Sequence, residues 1–132
     1  MDGEARAALV AWRMEEAAEA LAAARLAFDH GLHRSTVNRA YYAAFYAASA
    51  ALLTEGISMA KHTGVQGELH RLLVRRGRLP ALIGRAFTHL FEERLRGDYR
   101  EGIELSADEA AEALAAAEQI VDAIRSLLNE GA

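Results

Sequence analysis

Ser35-Thr36-Val37-Asn38-Arg39-Ala40-Tyr41-Tyr42-Ala43-Ala44-Phe45-Tyr46-Ala47-Ala48 sets an arginine and several phenols into a run otherwise built from alanine and bulky apolar side chains. Residues three and four apart share a face of a helix, so Arg39, Tyr42 and Tyr46 form one stripe while Val37, Tyr41, Ala44, Ala48 and Leu52 form another. The second stripe is suited to packing and the first carries polar groups. A guanidinium held between phenol rings suits stacking on a base or gripping a phosphate, because it stays charged and offers planar, forked donors. The competing reading is an arginine paired with a carboxylate inside a small helical core.

Working outward, the same periodicity organises the rest of the chain. Val10, Met14, Ala17, Leu21, Ala24 and Phe28 recur at alternating steps of four and three, the pattern of a long first helix ending near Gly31. Ser35 is expected to cap the second helix, which stops before Gly56. Thr63 and Gln66 have capping-box spacing and open a short third helix through Leu69, Leu72 and Leu73 to Gly77. Pro80 suits the first turn of a fourth, with Ile83, Phe87, Leu90 and Leu95 on its stripe and Gly97 at its end. Ser106 and Glu109 repeat the capping-box spacing before a fifth helix marked by Ala110, Leu114, Ala117, Val121, Ile124 and Leu128. The expectation is an all-α antiparallel bundle of about five helices near residues 3–30, 35–55, 64–76, 80–97 and 106–130, forming a single domain over 1–132. No alternating strand pattern, hairpin signal or internal repeat intervenes.

A chain of 132 residues, half of them apolar, buries a real core without staples. Cysteine is absent, which excludes disulfides, thiolate nucleophiles and cysteine-ligated zinc. No apolar run approaches the roughly 20 residues of a membrane span, and the opening Met1-Asp2-Gly3-Glu4-Ala5-Arg6 is unlike a signal peptide, so a cytoplasmic protein is expected with no membrane partner. The net charge of −4 hides a segregation. Residues 30–100 hold ten arginines and Lys61 against five acids, with all five histidines, whereas the flanking segments are acidic. A basic middle can attract a nucleic acid or nucleotide, or be neutralised by the acidic flanks within the fold or across a dimer.

Several chemistries lack their residues. There is no phosphate-binding glycine loop, no His-Glu-x-x-His, and no Asp-x-Asp pair to hold magnesium. Asp29, His30 and His33 cluster at a helix end without a fourth ligand, so no metal or other cofactor is expected. His62 and His70 read as a helix-entry residue and an exposed one, and Arg25 and His30, five positions apart, point about 140° apart on a helix. More suggestive is Arg94-Leu95-Arg96-Gly97-Asp98-Tyr99-Arg100, where a helix ended by Gly97 leaves Asp98 and Tyr99 in a turn that could reach the second helix. There Asp98 could orient Arg39, and Tyr99 could extend the tyrosine cluster.

Three blocks, Asn38-Arg39-Ala40-Tyr41-Tyr42-Ala43-Ala44-Phe45, Lys61-His62-Thr63-Gly64-Val65 and Arg94-Leu95-Arg96-Gly97-Asp98-Tyr99, resemble in order and spacing the signatures of small prokaryotic HEPN-domain proteins. The likeness spans roughly residues 10–128. It implies an antiparallel helical bundle, usually a homodimer, often encoded with a minimal nucleotidyltransferase in a toxin-antitoxin pair. Some such proteins are metal-independent ribonucleases using an arginine and a nearby histidine; others bind nucleotides or partners. Many relatives of this type have histidine where this chain has Tyr46, and a phenol, with a pKa of about 10 against about 6.5 for imidazole, is a poor general base. That departure argues against cleavage.

The resulting expectation is a homodimer whose Arg39, Tyr42, Tyr46, His62, Asp98 and Tyr99 lie in one cleft engaging RNA, nucleotide or a nucleotidyltransferase partner. Arg39 binds the phosphate or a partner carboxylate. Tyr42 and Tyr46 line the cleft, Asp98 and Tyr99 position them, and His62 borders it. The alternatives are a metal-independent ribonuclease toxin, with Arg39 stabilising the transition state and His62 or another histidine moving the proton, and a purely structural dimer.

Overall fold

The computed structural model describes residues 2–57, 62–99 and 101–130, apart from the side chains of His62, Thr63 and Tyr99. The described residues form a helical bundle without strands: α1 Gly3–Asp29, α2 His33–Thr54, α3 His62–Glu68, α4 Ala81–Tyr99 and α5 Ala107–Glu130. A π-helical segment, Leu69–Val74, continues directly from α3. The hydrophobic periodicity thus placed the long helices to within a few residues.

The second helix is the axis of the fold and packs against α1, α5, α4 and α3. Ala40, Ala43, Ala44, Ala47, Ala48 and Ala51 expose no surface, and these short side chains let the neighbouring backbones come close. Tyr41 is the one bulky exception among them. Its ring is fully buried and meets Phe87 and Phe91 of α4 with centroids 6.0 and 5.9 Å apart, so it fills the gap between α2 and α4.

Three local expectations are corrected. The cap of α2 is Leu32 and not Ser35, because Gly31 at φ 73° folds the chain back so tightly that Leu32 N–H reaches Ala27 O at 2.9 Å and helix resumes at once. Thr36 then closes the first turn, its backbone N–H and its Oγ1 each donating to Leu32 O at 2.9 Å. Gly97 does not end α4, which runs on to Tyr99, so Asp98 sits on the helix and not in a turn. Gly97 serves close approach instead: its carbonyl accepts from Arg34, and a Cβ there would lie 3.1 Å from Leu105 Cδ1. His70 is half-buried rather than exposed, with Nε2 3.1 Å from Thr88 Oγ1. Gln66 Nε2 donates to Thr88 Oγ1 at 3.1 Å, and the side chain of Thr63, its expected capping-box partner, lies outside the described residues.

The second expected capping box is present. Glu109 N–H donates to Ser106 Oγ and Ser106 N–H to Glu109 Oε1, each at 3.1 Å. Glu109 also pairs with Arg96, tying α5 to α4, and the Arg96 hydrogen bond first and the Ser106 backbone second hold its carboxyl down at about 2.

Two tests follow from this packing. A Cβ on Gly84 would fall 2.7 Å from His70 Cε1 and 3.0 Å from Val74 Cγ2, so Gly84→Ala should lower unfolding free energy by about 1–3 kcal/mol in denaturant melts. Gly67→Ala meets nothing within 4 Å and should raise it by up to about 1 kcal/mol. Equal effects at both glycines would contradict the close packing of the π-helical segment on α4. Because the folded Glu109 carboxyl lies below its ordinary 4.5, the stability it contributes is present above that pH and is lost as pH falls toward about 2. Glu109→Gln should therefore flatten the acid limb of a helicity titration over that window; an unchanged limb would remove the capping box from the account.

Candidate functional site

The first turns of α2 are tied to the end of α4 and to the connector that follows. His33 Nδ1 lies 3.1 Å from Leu105 O, while Arg34 donates to Gly97 O and, at 2.8 Å, to Ile103 O. These bonds hold the end of α4 beside the start of α2. Between them opens a cleft of about 450 Å³ lined by Ala23 and Ala27 of α1, Arg34, Ser35, Asn38 and Arg39 of α2, and Asp98 of α4.

Arg39 is half-buried in this cleft. Its Nε and Nη2 donate to Asn38 Oδ1 at 3.2 and 3.0 Å, and its Cζ stands 4.8 Å from the centre of the Tyr42 ring. Among the described residues no carboxylate pairs with it. The acid that lines the same cleft, Asp98, is engaged elsewhere: its Oδ2 lies 3.1 Å from Nε of Arg94, four residues earlier on α4. The expectation that Asp98 orients Arg39 is therefore corrected, because a same-helix partner one turn away captures the carboxylate first.

Arg94 is the residue that the sequence reading quoted without giving it a role. Only 12% of its side chain is exposed, and its Cζ lies 5.1 Å from the Tyr41 ring and 5.5 Å from the Tyr42 ring. The i,i+4 spacing of Arg94 and Asp98 was the available signal. Burial pushes the Tyr41 phenol well above its ordinary range, with Arg94 pulling in the other direction, so this phenol stays protonated and offers no base at neutral pH.

Of the residues expected in one cleft, Arg39 and Asp98 line it and Tyr42 packs against Arg39. Tyr46 lies further along the stripe, its ring 6.3 Å from Tyr42 and 5.9 Å from Phe45, and is not among the lining residues. The side chains of His62 and Tyr99, and all of Lys61 in the second block, lie outside the described residues. Asn38 and Arg34 are additions that sequence reasoning missed as site residues; their roles depend on contacts that periodicity cannot show. No histidine lines the cleft among the described residues, and none of those residues form a group of three able to hold a metal. His30 Nδ1 instead meets Leu26 O at 2.8 Å.

The two arginines should separate in mutagenesis. Arg94→Ala leaves the Asp98 carboxylate without its partner and opens space over Tyr41, and should cost about 1–3 kcal/mol in a denaturant melt. Arg39→Ala, which removes only a neutral partner and a ring contact, should cost less than about 1 kcal/mol. The reverse order would make Arg39 the structural arginine.

Comparison with known proteins bears on what this cleft serves. Residues 10–127 match the family model described as "HEPN domain". A "UPF0332 protein" of Thermotoga maritima is 37% identical over 119 residues, covering 90% of this chain and 89% of that one. A Methanocaldococcus jannaschii protein named a "putative toxin" is 36% identical over 117 residues, covering 89% and 87%.

Proposed function

The chain belongs to the HEPN-domain family, and on that premise we propose that it binds the phosphate of RNA or of a nucleotide through Arg39, without cleaving it, as the helical half of a toxin-antitoxin type system. One observation carries this reading: among the described residues, a half-buried guanidinium over the Tyr42 ring in an open cleft has only the neutral amide of Asn38 as hydrogen-bond partner. An arginine kept for stability pairs with a carboxylate, and the nearest candidate is already held by Arg94. The remaining N–H donors of Arg39 are suited to bidentate contact with a phosphate. The toxin naming of a relative that covers most of the chain supports the system type.

Non-cleavage rests on the proton-transfer groups. Tyr46 stands where many of the proteins that this chain resembles have histidine, the Tyr41 phenol is held protonated, and the cleft lining contains no imidazole among the described residues. A homodimer and a minimal nucleotidyltransferase partner belong to the same proposal. Leu26 and Leu32, 62% and 56% exposed, flank the α1–α2 turn at the cleft end and offer apolar surface that a second copy would cover. Sedimentation at micromolar concentration should give twice the chain mass.

A mixed RNA pool in chelator tests the reading. The natural protein should retard RNA without degrading it, and Arg39→Ala should weaken retardation by at least about tenfold, the value of a lost charged hydrogen bond. Cleavage by the natural protein that disappears in Arg39→Ala would replace this reading with the ribonuclease toxin; cleavage appearing only in Tyr46→His would show a nuclease-like cleft lacking its proton carrier.

A further inference from the structure

At the far end of α2 from the Arg39 cleft, the fold leaves a second opening. On the inward stripe of α1, Ala17, Leu21 and Ala24 are buried, yet Val10 and Met14 are only partly covered. α2 stops at Thr54, and among the described residues the opening is lined beyond it by the start of α1 and the end of α5. The result is a cleft of about 480 Å³ whose apolar walls include Ala7, Val10, Ala11 and Met14 of α1 and Leu128 of α5.

Among the described residues, the charged ones that line it are Arg6 and Arg125. Arg125 has a solvent-exposed partner in Asp122, with Nη1 to Oδ1 at 3.3 Å. Arg6 has no carboxylate partner among the described residues, and its Nε is buried without any hydrogen bond. A buried N–H of a charged group left unsatisfied is costly, so this one marks a place where an acceptor belongs. Among the described residues no carboxylate lines the cleft to fill it.

We propose that this cleft binds a small amphipathic anion, a carboxylate or phosphate carried on a short apolar tail. Arg6 takes the head, with Arg125 beside it and Asn129 as a neutral donor at the edge. The tail lies along Val10, Met14 and Leu128. The volume falls in the range of small-molecule sites, roughly 300–1,000 Å³, and the wall of short side chains suits a flexible chain. The site is independent of the RNA reading.

Decanoate and decyl phosphate titrated into the full chain make the test, with decanol as the headless control and acetate as the tailless one. Trp12, the sole tryptophan, follows Ala11 of the lining and is half exposed, so its fluorescence reports occupancy. The expected result is saturable binding of one or both anions, at least about tenfold weaker in Arg6→Gln and absent in Ala11→Phe, with helicity unchanged in both variants. Decanol binding as tightly as the anions, Arg6→Gln binding like the natural chain, or no saturable binding of either anion would each overturn the proposal.

Discussion

The close approach that alanine permits along α2 is the constraint on which the rest of the molecule depends. With Ala40, Ala43, Ala44, Ala47, Ala48, Ala50 and Ala51 exposing nothing, α1 and α5 can lie close to the backbone of this helix. The fully buried aromatic of that run, Tyr41, fixes where α4 can lie, because Phe87 and Phe91 pack on its ring. Arg94 follows Phe91 by one turn and meets the same ring. The functional face is thus built directly on the core, and the position of Asp98 in the cleft is inherited from the packing of α4.

This arrangement divides labour between two arginines of similar sequence setting. Arg94 is mostly enclosed, paired with Asp98 and laid against two tyrosines, which makes it a part of the structure that also neutralises the only acid lining the cleft. Arg39 shares Tyr42 with it but keeps a neutral partner. The pairing of Asp98 with Arg94 offsets the negative charge at the cleft, as the proposed binding of an anion requires. Arg34, bound to two carbonyls of the α4–α5 region, adds positive charge while holding the walls in place.

Much of this was legible in the sequence, for identifiable reasons. The stripe from Val37 to Leu52 is fully buried because hydrophobic period reports burial directly, and the Ser106–Glu109 box formed because both of its bonds are local. Where a residue's role depends on a distant contact, the reading failed. Ser35 looked like a cap, but Gly31 allowed helix to resume two residues earlier. Gly97 looked like a terminator, yet its lack of a side chain serves the approach of Leu105 and the carbonyl contact with Arg34. The pairing of Asp98 was assigned across space when the helix supplied Arg94 on its own surface. The π-helical segment at Leu69–Val74 carries no periodic signature, since its one-residue excess per turn is fixed by the fit of His70 and Val74 against Gly84.

The central claim is that the start of α2, at Arg39, is where a phosphate-bearing ligand docks. Titrating a short single-stranded RNA into isotope-labelled protein and following backbone amide and arginine side-chain resonances would test it most directly. The account predicts saturable shifts at Arg34, Ser35, Asn38, Arg39 and Asp98, with the far end of the bundle at Val10, Met14 and Leu128 undisturbed. Shifts centred elsewhere with Arg39 silent, or no saturable response at any residue, would contradict it.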